Sequence, residues 1–154
     1  MSNINKTGCT LVSNVPQDPM IPHGTDVKRY VLSQIVDLTA EAIVQADVYQ
    51  CLAIPADTLV ESVHYETITP AVGTTLTENV GDGGSTAGWI GSTDGKAVAG
   101  TFDHSTYGTD ARAVANNSGY FYDTADTIDV VMTTATAITA GPKFKIYAVC
   151  SDLN

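Results

Sequence analysis

Apolar and polar residues alternate most clearly near the end of the chain. Ile128, Val130 and Met132 alternate with Asp129, Val131 and Thr133, while Phe144, Ile146, Ala148 and Cys150 alternate with Lys143, Lys145, Tyr147 and Val149. A period of two sends successive side chains to opposite faces, so each run predicts a strand, the second with its Phe144/Ile146 side toward the core. The intervening Ala140-Gly141-Pro142 predicts that the two pair antiparallel. Upstream, the β-branched run 30–38 reads as a strand, and the runs 48–54 and 59–68 flank the proline-led turn Pro55-Ala56-Asp57-Thr58. In 59–68 one face holds Leu59, Glu61, Val63, Tyr65 and Thr67, and the other Val60, Ser62, His64, Glu66 and Ile68. Neither is cleanly apolar, which predicts a bulge or a partly covered sheet.

The segments 76–80, 89–91 and 97–99 are short and punctuated by glycine. Strands are expected near residues 29–38, 47–54, 59–68, 76–80, 88–91, 97–102, 119–123 and 127–134, with a ninth at 143–150. Residues 38–46 suit one helical turn or a loop, and no long stretch carries a 3.6-residue apolar stripe. The fold class is therefore all-β: an antiparallel β-sandwich, jelly-roll-like because the Cys…Trp…Cys signature of an immunoglobulin core is missing. Residues 1–27 hold Pro16, Pro19 and Pro22, and proline cannot donate to a sheet interior. The expected organisation is an extended N-terminal arm, 1–27, and a sandwich domain, 28–154.

Composition narrows the function. Of 154 residues, 44% are hydrophobic and 16% charged, far from the composition of a disordered chain and enough for one core. Seven Lys and Arg against 17 Asp and Glu give a formal charge of -10, so the cationic surface that binds nucleic acid is not expected. The start of the sequence has no apolar block behind a basic region, and no long apolar run predicts a membrane span. Cys9, Cys51 and Cys150 are widely spaced and form neither a disulfide framework nor a zinc knuckle, which suits a reducing cytoplasm.

Ile54-Pro55-Ala56-Asp57-Thr58-Leu59-Val60, the β-rich run closing in Thr69-Pro70, and the loop from Gly81-Asp82-Gly83 to Gly88-Trp89-Ile90 carry a resemblance. Across roughly the middle two-thirds of the chain, this pattern resembles small virion structural proteins of tailed bacteriophages, including capsid decoration (cement) proteins. The resemblance implies a virion protein on the capsid surface, with the major capsid protein as partner, a homo-oligomeric state with a trimer plausible, and a shell-stabilising role. An alternative is a carbohydrate- or receptor-binding β-sandwich module of a phage tail or fibre, with Trp89, Tyr120 and Tyr122 stacking on the ligand.

No enzyme motif stands out. Asp103-His104-Ser105 sets three triad residue types side by side, but neighbours on an extended chain point to alternating faces. His23, His64 and His104 occupy separate local contexts, and the Asp82 loop lacks the spacing of a calcium-binding EF-hand. No catalytic residue, cofactor or metal is expected. The interface candidates are Pro16, Pro19, Pro22, Trp89, Tyr120 and Tyr122. Trp89 reads first as a core plug below the Gly-rich loop and only second as an interface anchor, and alternation sends Phe121 to one side and Tyr120 and Tyr122 to the other.

Overall fold

The computed structural model describes residues 28–105 and 119–152. The expected arm, with Cys9, Pro16, Pro19, Pro22 and His23, lies outside the described residues. Among the described residues nine strands follow one another: β1 (Lys28–Asp37), β2 (Val48–Ile54), β3 (Thr58–Thr69), β4 (Thr75–Asp82), β5 (Ser85–Asp94), β6 (Phe102–His104), β7 (Tyr120–Tyr122), β8 (Asp126–Thr136) and β9 (Lys143–Asp152). They form two antiparallel sheets, one ordered β1-β9-β3-β6 with β7 also on β3, the other β2-β8-β4-β5. This interleaved order makes a sandwich and is compatible with the jelly-roll arrangement.

The inner faces meet in a single core. Phe144, Ile146, Ala148 and Cys150 of β9 and Ile128, Val130 and Met132 of β8 are all fully buried, as their alternation predicts. The bulge expected in β3 lies at Glu61, since Val60 opposes Cys150 and Ser62 opposes Val149. That extra residue switches the inward set from Thr58 and Val60 to Val63, Tyr65 and Thr67, so an irregular sequence pattern still delivers one buried face. Between β1 and β2 the chain is a loop that contributes Leu38 and Ile43 to the core.

Two sequence expectations are corrected. β8 and β9 do not pair with each other: β8 lies between β2 and β4, and β9 between β1 and β3. Their connection crosses from one sheet to the other, held by the Val72↔Ala140 bridge. The strand expected at 97–102 is instead a turn, Ala97 N–H donating to the Asp94 carbonyl, and the strand begins at Phe102. The proline-led turn after β2 likewise carries the chain between sheets.

The β4–β5 hairpin is tighter and longer than expected. Asp82 Oδ1 accepts the amides of Gly84 and Ser85 at 2.9 Å, which fixes the turn. A Cβ on Gly81 would lie 2.0 Å from the Ser85 carbonyl oxygen, so only glycine permits this close approach. The pairing jumps from Val80↔Ile90 to Asp82↔Ser85, and the residues gathered between them bring Gly88, Trp89 and Ile90 consecutively into the interior.

Ala46 follows the Ile43 loop with φ of 74°, a left-handed conformation costly for a residue with a Cβ. Ala46→Gly should therefore stabilise the protein by about 1 kcal/mol. A higher urea midpoint with an unchanged slope is the expected measurement.

Candidate functional site

The outer face of the larger sheet collects side chains that lie far apart in sequence. Register aligns Ser33, Tyr147, His64 and His104 across β1, β9, β3 and β6, and the next row aligns Ile35, Lys145, Glu66 and Phe102. The His64 imidazole stacks on the Tyr147 ring with centroids 4.6 Å apart, and lies 5.7 Å from Phe102 and 6.4 Å from His104. Lys145 Nζ sits 5.6 Å from the Tyr147 ring centroid. Phe102 and His104 are exposed, whereas Tyr147 and His64 are half-buried by their neighbours.

The charges around this cluster are largely compensated within the chain. Lys143 meets Asp37 at 3.2 Å, and Arg29 pairs with Glu61, which also accepts a hydrogen bond from Ser151 Oγ at 2.5 Å. Burial holds the His64 imidazole below its ordinary pKa, and nearby His104 adds to that shift. His64 Nε2 lies 3.0 Å from Ser62 Oγ, while Nδ1 is buried without a hydrogen-bond partner among the described residues. Burial, then Glu66, raises the Tyr147 phenol. The result is an outer patch of rings and aliphatic groups, with Lys145 and Glu66 adjacent across β9 and β3 and ion pairs at its ends, suited to broad contact with another surface.

The residues singled out from sequence lie elsewhere. Trp89 is fully buried, its indole N–H donating to the Tyr122 hydroxyl at 3.1 Å, and that hydroxyl donates to Asp82 Oδ2 at 2.6 Å. Tyr122 is 3% exposed. Neither ring presents a face to a partner or a sugar, because both fill space between the sheets. Tyr120 is half-buried and packs edge-on against Tyr122 at 4.8 Å, while Phe121 points outward. Gly119, at φ of +91° and with room for no Cβ beside the Val60 carbonyl, lets β7 start against β3.

Asp103, His104 and Ser105 diverge. His104 joins the outer cluster, and buried Ser105 Oγ accepts the Val63 amide at 3.1 Å. Cys51 and Cys150 are half-buried and buried, and burial pushes their thiols up to about 12 and about 11, so both are kept as unreactive thiols.

No protein-family model matches the sequence, and no curated protein does. Solved structures of similar fold include chains from three phage capsids. A chain of the cyanophage Pam1 capsid asymmetric unit is 21% identical, with a TM-score of 0.56 over 93% of this chain and 96% of that one. A chain of the Ralstonia phage GP4 capsid is 14% identical, with a TM-score of 0.58 over 89% and 91%. A chain of the acidic stable capsid of Helicobacter pylori bacteriophage KHP30 is 13% identical, with a TM-score of 0.53 over 80% and 86%. The likeness is one of fold, and it spans 80% to 93% of this chain.

Sequence reasoning missed the outer cluster because register, not spacing, assembles it. One signal was available: the outward face of β9 ends in Tyr147 and Val149, where a solvated strand would carry polar groups. It also missed Glu78, a fully buried carboxyl on the inner face of β4 between Leu76 and Val80. Tyr65 donates to Glu78 Oε2 at 2.6 Å, while Oε1 has no partner among the described residues.

Proposed function

We propose that this protein is a structural component of a tailed-phage virion, a capsid decoration (cement) protein that binds the outer surface of the shell as a homo-oligomer. The observation that carries this reading is the shared fold with chains of phage capsids over 93% of this chain and 96% of the Pam1 chain. The outer face of the larger sheet supports it, because a cluster of stacked, partly exposed rings suits contact with the major capsid protein better than it suits chemistry. A protein that binds only the assembled shell stabilises that state by linkage. Residues 1–27, with Pro16, Pro19 and Pro22, are proposed to make a second contact across a subunit boundary. The glycan-binding alternative loses its main support, since Trp89 and Tyr122 are interior.

The purified chain should co-sediment with shells that lack a decoration protein and raise their melting temperature. Phe102→Asp combined with Tyr147→Asp should weaken attachment by roughly tenfold or more, because each places a charge where the contact is desolvated. The isolated variant should stay folded, its urea midpoint falling only modestly as the half-buried Tyr147 ring gives up its stack on His64, since neither position lies in the core. Deleting 1–27 should likewise weaken attachment. Absence of co-sedimentation by the wild-type chain would refute the reading.

A further inference from the structure

The β1 edge of the larger sheet differs from the other sheet edges. β2 carries a register shift at Cys51, β5 is offset from β4 in two places, and the far side of the larger sheet ends in the three-residue strands β6 and β7. Shortness, bulges and offsets keep a strand edge from pairing with another chain. β1 has none of them. It runs ten residues without proline, in unbroken register with β9 from Lys28↔Asp152 to Asp37↔Lys143, and its second edge has no strand partner among the described residues.

Its sequence is also self-complementary. Two copies set antiparallel about a two-fold axis through Ser33 would place Arg29 opposite the partner's Asp37, Val31 opposite the partner's Ile35, and the two Ser33 side chains together. On the inward side, Tyr30 would meet the partner's Val36 and Leu32 the partner's Gln34. Val31 and Ile35, 58% and 55% exposed in the single chain, would cover each other. Arg29 already pairs with Glu61 and Asp37 with Lys143, so each end would become a row of four alternating charges. A slip of one residue would oppose outward to inward side chains. A slip of two would set Arg29 against the partner's Ile35, or Val31 against the partner's Asp37.

We propose that β1 is the contact between two copies of this chain, joining their larger sheets into one continuous antiparallel sheet by strand addition. Ile35 and Val48 line one groove beside this edge, which extends the apolar contact toward β2. The inference gives the homo-oligomer of the proposed function a specific contact, yet it concerns the isolated protein and stands whether or not a shell binds. The three-fold state implied by the family resemblance would need other surfaces.

The test uses the full chain carrying Cys9→Ser. Adding Ser33→Cys and oxidising mildly should convert most of the protein to one covalent dimer of twice the 16.1 kDa chain mass, because residues facing each other across antiparallel strands approach disulfide distance. Thr134→Cys, likewise exposed but on β8, should not cross-link. In light scattering, Ile35→Lys should raise the concentration at which the wild-type dimer dissociates by roughly tenfold or more, with an unchanged circular dichroism spectrum. A wild-type chain that stays monomeric at micromolar concentration overturns the proposal. So does any oligomer in which Ser33→Cys fails to cross-link.

Discussion

Glu78→Gln should remove most of the loss of stability that the wild-type protein suffers between pH 4.5 and pH 7. The Glu78 carboxyl is fully buried between the sheets, and burial raises its pKa from 4.5 to about 7 despite the hydrogen bond from Tyr65, which favours the ionised form. In the unfolded chain the same group ionises near 4.5. The native state therefore holds a proton that the unfolded state has released across this window, and stability falls as pH rises. The rise from 4.5 to about 7 corresponds to about 3 kcal/mol, a large share of the stability of a domain this size. Glutamine cannot ionise, so the variant should lack this contribution.

Asp129 shifts in the same direction, through burial, and His64 in the opposite one. With its pKa lowered in the fold, His64 costs stability as pH falls below 6.5. Both contributions are common to wild type and variant, and so cancel when the two are compared. Urea unfolding of both proteins at pH 5 and pH 8 is the measurement. The gap between them should change by about 2 to 3 kcal/mol in favour of the variant at the higher pH. Parallel pH profiles would mean that water reaches the Glu78 carboxyl and that it is already ionised in the native state.

Trp89→Ala should cost about 4 kcal/mol of folding stability, the range for removing a buried aromatic ring. The cavity would open where β5, β7 and the β4–β5 turn meet, and the Tyr122 hydroxyl would lose the indole donor that helps to hold it against Asp82. A gentler variant, Tyr122→Phe, leaves the Trp89 N–H without its partner and should cost less, about 2 kcal/mol. Equilibrium urea unfolding followed by circular dichroism reads both, since the only tryptophan is lost in the first. The contrast with the outer face is informative. Core variants should lower the unfolding midpoint, whereas Phe102→Asp with Tyr147→Asp should spare folding and impair attachment. A Trp89→Ala protein that unfolds at the wild-type urea concentration would contradict the interior position of that ring.

Much of the fold was legible in the sequence because the relevant signal is local. The alternation in 128–132 and 143–150 depends only on the pleat of each strand, and the mixed faces of 59–68 anticipated the bulge at Glu61. Glycine clusters marked the β4–β5 turn, although the length of β5 was underestimated because its bulges break the period of two. The site was hardly legible. Tyr120, Tyr122 and Trp89 stood out by residue type, yet two of the three belong to the core, while Phe102, His64, His104 and Tyr147 become neighbours only through cross-strand register.

The amino-acid sequence alone determined the class of backbone, the inward side of β8 and β9 and the acidic character of the chain, in which few residues are charged. Each follows from the conformational preference or charge of nearby residues. Tertiary structure decided which strands are neighbours, that β8 and β9 belong to opposite sheets, and which side chains share the outer face. A period of two tells a strand which way to face but not beside which strand to lie. That choice is made when two apolar faces must bury each other at once, and it depends on residues far along the chain.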